Sequence, residues 1–173
     1  ALRAWFMRAD RDRSGSISAK ELQRQVFMGK SLSLSTCQRI IRYFDKDRSG
    51  NIEFYEYAAL HQFLTRLVTA FVGADRDRSG KLEVNEIHHA LVLAGLEIPM
   101  NSLTNIIMRF DPLVTRNRSK MTFENFILLA AQLFFIRFVI FIHSIVGETY
   151  AYSYFYSYSF FSSYFQGNVK RYL

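Results

Sequence analysis

Apolar residues fall into helix-spaced clusters separated by short polar stretches rich in Asp, Arg, Ser and Gly. Leu22, Val26 and Phe27 mark one amphipathic helix, with Gly29 as its expected C-terminal stop. Ser35 to Gln38 fits a capping box opening a second helix that carries Ile40, Ile41 and Phe44. Between Glu56 and Asp75 there is no Pro and only Gly73, so one unbroken helix, roughly Phe54 to Val72, is expected to join two polar stretches. Ile87, Leu91 and Val92 precede Gly95, and Pro99 stands before a further helix. A long apolar run covers Phe126 to Val146. Its most apolar part, Leu133 to Val146, carries Arg137 and His143 and is too short to span a bilayer. Residues 150–165 are almost entirely Tyr, Ser and Phe, in neither helical nor strand period.

The polar stretches repeat. Asp10-Arg-Asp-Arg-Ser-Gly15 returns as Asp45-Lys-Asp-Arg-Ser-Gly50 and as Asp75-Arg-Asp-Arg-Ser-Gly80. Each Gly is followed six positions later by Glu21, Glu56 or Glu86, and two positions later by Ile17, Ile52 or Leu82. Ca²⁺ is a hard cation that takes six to eight oxygens, and a twelve-residue loop offers them from positions 1, 3, 5, 7, 9 and 12. Position 1 is Asp10, Asp45 or Asp75; position 3 is Asp12, Asp47 or Asp77; position 5 is Ser14, Ser49 or Ser79. Ser16, Asn51 and Lys81 offer only a backbone carbonyl at position 7, and Ser18, Glu53 and Glu83 stand at position 9. Glu21, Glu56 and Glu86 close the shell with both oxygens at position 12. The mid-loop Gly permits the positive φ of the turn, and the apolar residue at position 8 is expected to pair with a neighbouring loop as a short strand. Arg11, Arg13, Lys46, Arg48, Arg76 and Arg78 are expected to face solvent and to lower the local negative field. The first loop has three side-chain acids and the other two have four each, which ranks the first as the weakest site. Affinity in about the micromolar range is expected of a sensor.

A fourth copy is damaged. Met121-Thr-Phe-Glu-Asn125-Phe matches Ile52-Glu-Phe-Tyr-Glu56-Tyr and so puts Asn125 where the closing Glu belongs. Pro112 follows Asp111, three extra residues precede Met121, and Arg116, Arg118 and Lys120 add positive charge. This hand is expected to pair with the third and to hold no metal.

Loop starts are separated by 35, 30 and 36 residues, and the short middle interval forces hands two and three to share a helix. With these loops, that spacing and the long apolar segment after the fourth loop, residues 4–145 resemble the penta-EF-hand family, which includes the calpain calcium-binding domains and the sorcin, grancalcin and peflin type. The resemblance implies an all-α fold of paired helix-loop-helix units with short β-bridges between loops. It also implies a fifth hand that pairs with that of a second chain. Here the fifth loop would run from Ser144 to Phe155, with no acid at position 1, 3 or 12. The expected organisation is a calcium-binding domain over 1–146, then a degenerate fifth hand or an aberrant aromatic tail over 147–173.

Composition adds limits. The formal charge of +7 permits contact with anionic lipid or nucleic acid, but the Arg residues form no stripe with stacking aromatics. Cys37 has no bridging partner, which favours a reducing compartment and a cytoplasmic location, with membrane association on calcium binding. Nine residues precede the first loop, with neither a signal-peptide pattern nor an initiator Met, so a longer N-terminus is expected. His88 and His89 lack the i, i+4 spacing of a helical zinc site and read as helix surface. No catalytic signature is present, and an enzyme is not expected. The function anticipated is a calcium sensor and adaptor that exposes an apolar groove, with Met28, Met100 or Met108 as candidates to line it, and recruits a protein or membrane. A regulatory subunit dimerising through the fifth hand and a calcium-dependent binder of acidic lipid or nucleic acid are the alternatives.

Overall fold

The computed structural model describes residues 2–27, 29–116 and 120–146, with side chains through residue 114 and from 120 to 137. Met28, the fifth loop beyond Val146 and the segment 147–173 lie outside the described residues. Among the described residues the order is α1 (Leu2–Ala9), β1 (Ser16–Ile17), α2 (Ala19–Gln23), α3 (Leu34–Phe44), β2 (Ile52–Glu53) and α4 (Phe54–Ala74). Then come β3 (Lys81–Leu82), α5 (Val84–Leu93), α6 (Met100–Phe110), α7 (Pro112–Arg116), β4 (Met121–Thr122) and α8 (Phe123–Val146). Ala1–Ala131 forms one compact unit, and the described residues from Gln132 onward belong to a second.

The first unit is an EF-hand architecture built on paired loops. β1 runs antiparallel to β2 with Ile17 opposite Ile52, and β3 runs antiparallel to β4 with Leu82 opposite Met121. All four of these apolar residues are fully buried, so each pair of loops is clamped by one hydrophobic contact at position 8. The fourth hand therefore does pair with the third.

The shared helix is present. α4 is 21 residues long, leaves the second loop and enters the third, and buries Tyr57, Leu60, Leu64, Leu67, Val68 and Phe71. Each such side chain contributes about 1.5–3 kcal/mol. It packs against α1, α3 and α5, and Phe6 of α1 meets Phe54 and Tyr57 edge-on at 5.4 and 5.5 Å.

Two helix ends differ from the sequence pattern. α2 stops at Gln23, capped by Arg24, and Val26 is exposed. Phe27 and Lys30 exchange amide–carbonyl hydrogen bonds of 2.8 and 2.9 Å around Gly29 at φ +80°, so this glycine makes a tight turn and ends no helix. α3 is capped by Ser33, two residues before the expected Ser35 box, because a remote residue reinforces the earlier cap. Glu124 of α8 accepts from the Ser33 amide (2.8 Å), the Ser33 hydroxyl (2.6 Å) and the Thr36 hydroxyl (2.6 Å). Gly95, at φ +86°, does end α5: its amide bonds Val92 and the Leu96 amide bonds Leu91. No helix among the described residues is long and apolar enough to cross a membrane.

Candidate metal centres

Each of the three intact loops begins at the end of one helix and finishes in the first turn of the next. Asp45 and Asp75 cap the C-termini of α3 and α4, and Asp10 follows α1 directly. Glu21, Glu56 and Glu86 occupy the third position of α2, α4 and α5. Backbone amides aim these carboxylates. Asp10, Asp45 and Asp75 each accept from the amides of loop positions 5 and 6 at 2.9–3.0 Å. Glu21 accepts from the amides of Arg11 and Ser18, Glu56 from Lys46 and Glu53, and Glu86 from Arg76 and Glu83. The closing Glu is thus held by one oxygen to each end of its own loop.

Three acid groups result: Asp10, Asp12 and Glu21; Asp45, Asp47 and Glu56; Asp75, Asp77 and Glu86. In each, one oxygen per residue lies within 4.8 Å of the others. Ligands at about 2.3–2.6 Å from one Ca²⁺ are separated by up to about 5 Å across the ion, so each group fits a single calcium. The neutral donors are aligned with them. Ser14, Ser49 and Ser79 donate to the position-7 carbonyls of Ser16, Asn51 and Lys81 at 3.0, 3.3 and 2.9 Å, which places hydroxyl and carbonyl oxygens on the same side.

Position 9 is arranged differently. The Ser18 hydroxyl donates to Glu21 (2.7 Å) and completes a capping box, while Glu53 and Glu83 do not join the three-acid groups. Ligation from position 9 often runs through a water.

Burial and hydrogen bonding set the acids of the three loops apart. Burial pushes the Asp45 carboxyl up, with the Asp47 hydrogen bond and the Glu56 charge adding to it. Glu21 is raised by burial but lowered more by its hydrogen bonds from Ser18 and the Arg11 amide, so it ends below the usual glutamate range. The Lys120 ammonium holds Asp77 well below the usual carboxylate range.

Arg11, Arg13, Lys46, Arg48, Arg76 and Arg78 are all exposed, as expected of non-ligands. Sequence reasoning missed that Arg13, Arg48 and Arg78 lie in the left-handed region, at φ 57°, 62° and 55°. It also missed the reach of Lys120 into the third loop, which the strand register foreshadows by setting residue 120 across from residue 83. In the fourth hand the Asn125 amide donates to Asp111 at 2.9 Å, and the extra residues fold into α7. His88 is no plain surface residue: it is half-buried, with Nε2 3.0 Å from the Ile98 carbonyl. Cys37 is fully buried and its thiol is pushed up to about 12 by burial, so it is inert as a nucleophile. Met100 is half-buried and Met108 is exposed.

Residues 1–62 match the family described as an EF-hand domain pair. The chain is 41% identical over 111 residues to penta-EF hand domain-containing protein 2 of Dictyostelium discoideum, covering 64% of this chain and 54% of that protein. It is 37% identical over 129 residues to a sorcin of Schistosoma japonicum, covering 73% of each, and 34% identical over 131 residues to zebrafish (Danio rerio) peflin, covering 75% and 48%. Among solved structures, a homolog of programmed cell death 6 protein from Leishmania major superposes with a TM-score of 0.66 at 28% identity, over 92% of this chain and 88% of that one. The chain spans about half the length of the first curated relatives it matches.

Proposed function

The chain belongs to the penta-EF-hand family of calcium-binding proteins, and from that premise we propose that it is a calcium-dependent adaptor whose helices reorient as its first three loops fill. The observation that carries this reading is the position of the acids. In each loop, one carboxylate at the end of the entering helix and one in the first turn of the leaving helix converge within 4.8 Å.

A calcium ion supplies two positive charges and a demand for six to eight oxygens. Asp10, Asp12, Ser14, the Ser16 carbonyl and Glu21 hold it in the first loop, with Ser18 at position 9. Asp45, Asp47, Ser49, the Asn51 carbonyl and Glu56 do so in the second, with Glu53 at position 9. Asp75, Asp77, Ser79, the Lys81 carbonyl and Glu86 do so in the third, with Glu83 at position 9. Drawing the entering Asp and the leaving Glu to one point fixes the angle between their helices. α4 carries Glu56 at one end and Asp75 at the other, so the second and third sites orient the same rod.

Exposed apolar side chains support the partner class. Trp5 and Met7 on α1, Val92 and Leu93 on α5 and Met108 on α6 are all exposed, and they suit an apolar peptide or a membrane surface. The unpaired Cys37 supports a cytoplasmic location. No residue cluster described above has a catalytic role in this reading; the protein acts as a non-enzymatic regulator.

Calorimetric titration of the purified chain is expected to give calcium uptake that falls by one site each in Glu56→Gln and Glu86→Gln. Capture of a partner in calcium but not in chelator is the expected adaptor behaviour. Absence of uptake, or uptake untouched by both substitutions, overturns the calcium reading; equal capture in chelator overturns the adaptor.

A further inference from the structure

Lys120 lies outside the three intact loops yet touches one of them. In the β3–β4 ladder Lys81 faces Thr122 and Leu82 faces Met121, so the next step sets Glu83 across from Lys120. From there the ammonium reaches into the third loop. It donates to an Asp77 carboxylate oxygen and to the Ser79 hydroxyl (3.4 Å), and lies 3.4 Å from Glu83 Oε1. These are the side chains at loop positions 3, 5 and 9, the same oxygens a calcium ion in that loop would draw on.

We propose that Lys120 is a tethered competitor for the third calcium site, an ammonium that satisfies the site's own oxygens and must withdraw before the ion is held. The inference rests on the calcium reading of the third loop. It alters the ranking by acid count: the third loop has four acids, but a fixed cation offsets one of them and sets it below the second loop, level with the first. The first pair has no such device. Its register sets Ile17 opposite Ile52, so the residue in the place of Lys120 is Asn51, facing Ser18, both uncharged.

The test follows the amides of Gly15, Gly50 and Gly80 by two-dimensional NMR as calcium is added to the full chain. Each amide donates to the position-1 Asp of its own loop, so each reports one site. In the wild type, Gly80 is expected to respond at higher calcium than Gly50. In Lys120→Gln the Gly80 midpoint is expected at about three- to tenfold lower calcium, the scale set by one or two exposed ion pairs, with Gly15 and Gly50 moving less than about twofold. Lys120→Arg keeps the wild-type midpoint. Arg76→Gln, which removes the same formal charge from an exposed position of the same loop, moves Gly80 by less than about twofold. A Gly80 midpoint unmoved in Lys120→Gln while all three amides respond overturns the competitor and leaves the calcium reading standing. An equal shift in Arg76→Gln also overturns it, in favour of a diffuse field. If no glycine amide responds to calcium, the calcium reading fails and takes the competitor with it.

Discussion

The first pair of hands and the second are built on one plan and differ in what the partner loop brings. Both pairs use a two-residue antiparallel ladder with two buried apolar residues face to face. In the first pair, both loops carry a three-acid group, and Asp10, Glu21, Asp45 and Glu56 are all buried. In the second pair, only the third loop carries such a group among the described residues. Its Asp75 and Glu86 are half-exposed, and a lysine of the fourth loop lies against it. Loops 2 and 3 carry the same acids at the same positions, so their differences as sites come from across the ladder and from burial.

The largest effect is expected where the two pairs are joined. Thr65 is an exposed residue in the middle of α4, so Thr65→Pro removes a helical hydrogen bond without deleting a buried side chain. It should cost about 3 kcal/mol or more. If α4 makes the pairs cooperative, thermal unfolding followed by circular dichroism changes from one transition to two. A single transition at lower temperature would mean that other contacts join the pairs.

Next come the closing glutamates, which separate burial from ligand count. Glu56→Gln and Glu86→Gln should each lower calcium affinity at their own site about a hundredfold, the span between sensor-type and weak loops. Their effects on folding should differ. Glu56 is 8% exposed and accepts from two amides, so the amide group of Gln would place a donor against a donor there, at about 1–3 kcal/mol. Glu86 is half-exposed and water can absorb the mismatch, so its variant should melt within about 0.5 kcal/mol of wild type in chelator. Equal loss in both would make burial irrelevant to the contrast.

Glu124 ties the pairs together at a second point, from the first turn of α8 to the cap of α3. Burial alone would raise its carboxyl, but the hydrogen bonds from Ser33 and Thr36 outweigh that and hold it below the usual glutamate range. A depressed acid contributes stability above its unfolded pKa and loses it as pH falls through the folded one. Glu124→Gln should therefore cost about 1 kcal/mol near neutral pH, and the gap to wild type should close as pH drops below the ordinary glutamate range. Denaturant melts of both proteins from pH 7 to pH 3 check this; a gap that stays constant would assign the loss to shape instead of charge.

The sequence made the loops, the shared helix and the position-8 pairing legible because each is a local rule: acids at fixed spacing, no breaker over twenty residues, one apolar residue after a glycine. What it hid depends on distant residues. Ser33 caps α3 instead of Ser35 because Glu124, 91 residues away, completes that cap. Val26 lacks the buried place its spacing implied because α2 stops after five residues and the Phe27–Lys30 turn follows. Lys120 looked like one more cation in a damaged loop, and only the ladder register sets it against Glu83 and Asp77.

The smallest effect concerns a feature common to both pairs. Arg13, Arg48 and Arg78 sit at position 4 with φ between 55° and 62°, a conformation that costs a residue with a Cβ about 1 kcal/mol or more. The turn is needed because it swings the amides of positions 5 and 6 onto the position-1 Asp. Asn tolerates this region better, and Arg13→Asn, Arg48→Asn and Arg78→Asn should each raise stability in chelator by about 0.5 kcal/mol. Calcium affinity separates strain from charge. Backbone strain is already present in the calcium-free loops, so its relief cancels from binding and leaves affinity unchanged, whereas loss of a cation raises affinity, more strongly near the buried acids of the first pair than in the half-exposed third loop. Changes of less than about twofold at each site are expected, because the arginines are exposed and screened; a larger gain confined to the first two loops would make their charge the stronger influence.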